Sequence, residues 1–212
     1  MITDEMLAGA RAVARRHYTD LFYHNWGHVI ATEKFALQLV ERCAHYEIVA
    51  DRNMVSVAAL FHDAGYYEKN KKRGYDTKEK YSASIAHEEL WRLRFPSVFI
   101  QNVIGCIIAT EASARPKFVE QKILRAADLH QLAGEYEQFK HNNQMFKQEY
   151  ELMNNCSLTD PQWLEITLNL LQQYLDEDIR LTPEHDDPAG VSEFHKLAYA
   201  NLARYAQEFG SK

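Results

Sequence analysis

Apolar residues recur at helical spacing along most of the chain, and alternation of Val, Ile and Thr with polar residues is hard to find anywhere. That pattern predicts an all-α protein. A first helix is expected after Thr3, with Asp4 and Glu5 in its first turn and Met6, Ala10, Val13 and Ala14 on its buried face, ending near Tyr18. A second carries Phe35, Ala36, Leu39, Val40 and Cys43, and Asp51 is a plausible cap for a third that runs through Val55 and Ala58 to His62 and Asp63, where Gly65 stops it. After a polar loop, Asp76-Thr77-Lys78-Glu79 opens a helix expected to bury Ile85, Ala86 and Trp91, and Pro96-Ser97 opens a very apolar one reaching Thr110. Helices are further expected over Phe118–His130, over Tyr136–Met153, from an Asp160 cap through Trp163, Leu171 and Tyr174, and from a Ser192 cap through Phe194, Leu197, Leu202, Tyr205 and Phe209 to Gly210.

Composition narrows this picture. At 212 residues, 46% of them apolar, the chain is long enough to bury a substantial core, and no repeat or linker divides it, so one domain over residues 1–212 is the expectation. A net charge of −6 argues against a nucleic-acid polymer as partner and in favour of small ligands. Cys43, Cys106 and Cys156 are odd in number and widely spaced, which fits reduced packing residues. The acidic start, Met1-Ile2-Thr3-Asp4-Glu5, does not resemble a signal peptide, and no stretch is apolar enough to span a bilayer, so a cytoplasmic protein is expected.

The chemistry concentrates where charge sits in apolar surroundings. In Ala58-Ala59-Leu60-Phe61-His62-Asp63-Ala64-Gly65-Tyr66, a buried carboxylate costs several kcal/mol unless a cation meets it, and a metal ion is the simplest one. His24 and His28 lie four apart: either they share a helical face, or Asn25 is the cap and His24 leans over the first turn. Asp128, among Ala126, Ala127 and Leu129, repeats the oddity of Asp63, with Arg125 or a metal as its counter-ion. Lys69, Lys72 and Arg73 in the polar loop either steer an anionic substrate or form a solvated surface. His87 reads as a polar-face histidine and His185-Asp186 as a solvated loop pair.

Tyr23-His24-Asn25-Trp26-Gly27-His28, Ala59-Leu60-Phe61-His62-Asp63-Ala64-Gly65-Tyr66, Glu79-Lys80-Tyr81-Ser82-Ala83 and Ala127-Asp128-Leu129 resemble a branch of small hydrolases in the HD superfamily of metal-dependent phosphohydrolases. The resemblance covers about the first two thirds of the chain. It implies an HD-type helical bundle, with a metal-binding core over about residues 20–135 and C-terminal helices 136–212 packing on it. His28, His62, Asp63 and Asp128 would hold a divalent metal, and His24 would protonate a leaving oxygen. The chain also departs from the family: where two-metal members carry further histidines it has Lys78 and Thr110, so one metal is expected. Where nucleotidase-like members carry a glutamate it has Tyr66, for which Glu79 or Glu68 could substitute.

Two imidazoles and two carboxylates suit Mn, Fe, Co, Ni, Mg or Zn, and such an ion activates water for attack on a phosphoester or phosphoanhydride of a small, nucleotide-like molecule. Arg125 or the loop bases Lys69, Lys72 and Arg73 would offset oxygen charge. Two other classes share the scaffold: a metal-containing nucleotide-binding regulatory module, and a di-iron oxygenase. A homo-oligomer is compatible with all three.

Overall fold

A computed structural model of the chain describes residues 2–68, 70–176, 179–182 and 191–210. Nine α-helices and no strand are found among them, an all-α architecture. No described helix is long and apolar enough to cross a membrane. The chain forms two compact units, Met1–Asp128 and Leu129–Lys212.

The first unit is built around its third helix. α1 (Asp4–Arg15) starts at Thr3, whose hydroxyl accepts from Met6 N–H, and α2 (Trp26–His45) comes next. α3 (Arg52–Phe61) is capped by Asp51, which accepts from Met54 N–H at 3.0 Å. α4 (Lys78–Arg92), capped by Thr77, α5 (Ser97–Ile108) and α6 (Val119–Leu129) complete the unit, with a short 3-10 turn at Asn70–Arg73. α3 packs against α1, α2, α4 and α5 at once. Its apolar run leaves no face for solvent: Val55, Val57, Ala58, Ala59, Leu60 and Phe61 are all at most 1% exposed. Burying a side chain such as Leu60 or Phe61 contributes about 1.5–3 kcal/mol. The end of this helix therefore lies in the core, and the adjoining His62, Asp63 and Ala64 are buried with it.

Two expectations for this unit are corrected. Trp91 is 64% exposed, because the stripe α4 turns inward is made of Ser82, Ala83, Ala86 and Leu90, and Trp91 falls one residue past it. It stacks on His87, which is exposed on the polar face as expected. The helix expected to run to His62 and Asp63 stops at Phe61, with His62 as its cap, and Gly74 is the positive-φ glycine among the described residues. Gly65 is needed for close approach: a Cβ there would lie 2.7 Å from Tyr81 Cδ1 and 2.9 Å from Ser82 N. Its own N–H donates to Ser82 Oγ at 2.9 Å, which ties the turn after α3 to α4.

The second unit holds a 3-10 turn at His130–Ala133, α7 (Tyr136–Asn154), α8 (Asp160–Leu175) and α9 (Glu193–Phe209). Tyr136, Phe139, Trp163, Leu164, Leu171, Leu175, Ala198, Leu202 and Tyr205 form its core. The indole N–H of Trp163 donates to Asn143, and Asn201 donates to the carbonyls of Leu132 and Gly134. α8 is capped one residue earlier than expected, by Thr159, whose N–H is accepted by Gln162 Oε1; Asp160 instead pairs with Lys147. Leu197 is 45% exposed rather than buried. Cys156 comes after the left-handed Asn155 at the end of α7 and is exposed, unlike the buried Cys43 and Cys106. The His185-Asp186 pair lies outside the described residues.

Candidate metal centre

Three helix termini of the first unit supply the centre. Asn25 Oδ1 accepts from the backbone N–H of Gly27 at 2.8 Å and of His28 at 3.2 Å, so α2 begins at Trp26. His28 thus falls in the first turn of α2, and His24 lies just outside the cap. His62 and Asp63 occupy the turn directly after α3, with His62 as its C-cap in right-handed backbone conformation. Asp128 comes from the last turn of α6.

The four side chains converge. One ligand atom from each of His28, His62, Asp63 and Asp128 lies within 4.8 Å of every other. His62 Nε2 is 3.1 Å from Asp63 Oδ2 and 3.3 Å from Asp128 Oδ1, and His28 Nε2 is 3.5 and 3.4 Å from the same oxygens. The two Nε2 atoms are 3.4 Å apart. A metal with bonds near 2.1 Å separates adjacent donors by about 3.0 Å in an octahedron and about 3.4 Å in a tetrahedron. The spacing fits an ion at the common centre, and this buried His/Asp group can hold one.

Hydrogen bonding prepares the donors. His62 Nδ1 is 2.8 Å from the carbonyl oxygen of Ala59, which can only accept, so Nδ1 carries the proton and a neutral ring turns its Nε2 lone pair inward. The Tyr18 hydroxyl donates to the Leu60 carbonyl at 3.0 Å, satisfying a group left open where α3 ends. Burial alone would lower the His62 pKa, but the charges of Asp63 and Asp128 outweigh it and hold the ring well above its ordinary value. His28 is raised in the same way. Burial would raise the Asp63 and Asp128 carboxyls, yet the facing His62 and their other cationic neighbours hold both below the usual range. Buried Glu33 shows the alternative solution: Arg11, 2.5 Å away, neutralises it, and the Ser56 hydroxyl donates to it.

A rim surrounds the ligands. His24 Nε2 lies 4.0 Å from Asp63 Oδ2, its ring stacked on Tyr66 with centroids 3.6 Å apart and edge-on to Tyr23. Lys78 Nζ lies 3.0 Å from Asp63 Oδ1, 3.5 Å from Glu79 Oε1 and 4.8 Å from the Tyr66 ring centroid. Glu79 is buried, with Lys78 between it and Asp63. Tyr23, Tyr66 and the contact made by Lys78 escaped the sequence reading. The available signal was aromatic: Tyr23 adjoins His24 in the chain, and Tyr66 closes the His62-Asp63 segment.

Other expected residues go elsewhere. Arg125 is fully buried and donates to the carbonyls of Ala109, Glu111 and Ala112, clamping the turn after α5, and Asp128 faces His28 and His62. Lys72 is exposed on the 3-10 turn. Arg73, also exposed there, pairs with Glu68, which accepts from Tyr81 as well; the three line a cavity of about 450 Å³ with His17, Tyr75 and Glu89. Glu68 is thereby engaged away from the ligands. Lys69 lies outside the described residues.

No family model matches the chain, and no curated protein matches it. Among solved structures it is similar to a Lactobacillus plantarum protein determined by structural genomics, at 12% identity, a TM-score of 0.61, and coverage of 99% of this chain and 96% of that one. That likeness concerns the fold.

Proposed function

We propose that the chain is a metal-dependent phosphohydrolase of the HD type, cleaving a phosphoester or phosphoanhydride of a small, nucleotide-like molecule. The observation that carries the reading is the four-donor cluster of His28, His62, Asp63 and Asp128 with His24 beside one of its oxygens. Purely structural sites are closed by their protein ligands. Here the Asp128 side chain is 17% exposed and a histidine and a lysine border the cluster, which favours a centre that admits substrate.

The N2O2 donor set balances the charge of one divalent ion, with Mn, Fe, Co, Ni, Mg and Zn as candidates. When bound, such an ion polarises a phosphoryl oxygen and lowers the pKa of water. The chain supplies the rest. Asp63 and Asp128 hold the charge balance, and the Ala59 carbonyl holds His62 in the ligating tautomer. His24, its ring plane fixed by Tyr66 and Tyr23, delivers a proton to the leaving oxygen at the rim. The three free thiols suit a reducing cytoplasm.

The experiment is a substrate screen with Mn on the wild type beside Asp63→Ala. Release of phosphate or a nucleoside monophosphate by the wild type alone supports the reading. Silence across mono-, di- and cyclic esters removes it, and tight nucleotide binding without turnover moves the protein to the regulatory class.

A further inference from the structure

Asp63 divides its two oxygens between two cationic neighbourhoods. Oδ2 faces the imidazole nitrogens at 3.1 to 4.0 Å, whereas Oδ1 faces the Lys78 ammonium at 3.0 Å. A carboxylate that bridges two cations uses its oxygens in this way. The ammonium also lies 3.5 Å from Glu79 and over the Tyr66 ring, so its position is fixed from three directions. Exposure varies in a telling way across the group: the Asp63 and Glu79 side chains are 2% and 6% exposed, and Lys78 is 31% exposed. The lysine is therefore the partly open member of the group, while its counter-charges are buried. Tyr66 links it to His24, because the ring that Lys78 covers is the ring on which His24 stacks.

We infer that Lys78 is the second cation of a one-metal centre, and that its ammonium receives a phosphoryl oxygen of the substrate beside the ion held by His28, His62, Asp63 and Asp128. The inference rests on the phosphohydrolase reading and adds to it the group that binds the phosphoryl charge, a part the sequence had given to Arg125 and the loop bases. A cation suits the place: it sits between two carboxylates, and it keeps its charge beside them. A lysine present only to neutralise a buried Asp63 would have no work once a divalent ion is bound, and that difference is testable.

The test titrates Mn-loaded protein with inorganic phosphate by calorimetry, for the wild type, Lys78→Met and Lys78→Arg, with Mn stoichiometry and thermal midpoint measured on each. The expected result is one Mn per chain in all three, phosphate affinity at least tenfold weaker in Lys78→Met, and affinity within about threefold of wild type in Lys78→Arg. Equal phosphate affinity in wild type and Lys78→Met overturns the inference, as does a wild type that takes up Mn but no phosphate. Should Lys78→Met fail to fold, Lys78→Gln takes its place under the same criteria. Phosphate binding does not depend on turnover. A silent substrate screen beside Lys78-dependent phosphate binding defeats the hydrolase reading alone, and turnover with Lys78-independent phosphate binding defeats this inference alone. A wild type that takes up no Mn ends both.

Discussion

The Nδ1 of His62 lies 2.8 Å from the carbonyl oxygen of Ala59, a turn back in its own chain, so the imidazole is aimed and tautomerically set before any ion arrives. Its Nε2 is also the histidine nitrogen closest to both carboxylates. His62→Gln is expected to weaken Mn binding by about 100-fold, with the helical circular dichroism signal retained. Mn binding at wild-type strength would remove His62 from the ligand set.

Protons and metal compete for the same nitrogens. In the metal-free protein burial disfavours charge on His62, but Asp63 and Asp128 overcome it and raise the ring well above its ordinary value. A raised imidazole stabilises the fold below its unfolded value near pH 6.5, and that contribution is lost as pH rises through the folded value. The metal-free protein is therefore expected to melt lower at pH 9 than at pH 6.5, while Mn affinity moves in the opposite direction and increases with pH. Calorimetry in buffers of different ionisation enthalpy should show protons released on Mn binding; no release would contradict the protonated cluster.

Gly65→Ala places a methyl group where Tyr81 and the Ser82 backbone already stand. Relief requires the turn bearing His62 and Asp63 to move away from α4. The substitution is expected to cost about 1–3 kcal/mol by urea denaturation and to weaken Mn binding as well. A variant of wild-type stability would show that the turn yields freely.

The three thiols should separate cleanly. Burial pushes the Cys106 thiol up to about 12, and Cys43 is buried, whereas Cys156 is exposed. A thiol reagent at pH 8 is expected to modify one group per folded chain, abolished by Cys156→Ser, and three after unfolding in urea. Rapid reaction of more than one thiol in the folded protein would contradict the burial.

Arg125→Met removes a guanidinium that holds the carbonyls of Ala109, Glu111 and Ala112. The expected loss is about 2–4 kcal/mol of stability, because buried carbonyls lose a charged donor, with one Mn per chain still bound. A variant as stable as wild type, with only its phosphate affinity reduced, would return Arg125 to the substrate.

The candidate donors Asp63 and Asp128 were legible because local sequence already posed an electrostatic problem. Asp63 ends a run that is apolar on every face, and Asp128 stands among alanines and a leucine, so each called for a cation whatever the fold. Helix caps were legible for the same local reason, as Thr3, Asp51 and Ser192 show. The features that escaped depended on distant partners. Arg125 stands one turn from Asp128 in sequence but is drawn to the loop after α5, and Lys78, legible only as standing where two-metal members carry a histidine, meets Asp63 because α4 lies against the turn after α3. Trp91 was misjudged because small residues, not the largest apolar one, set the inward stripe of α4.

Asp128 is the last residue of the first compact unit, whereas His28 stands near its beginning. An ion gripping both acts as a clasp across about a hundred residues of chain, and its removal leaves the final turn of α6 without its inward anchor. Chelation should therefore quicken amide exchange first around residues 124–129, and a fragment ending at residue 127 should keep three donors yet grip Mn poorly.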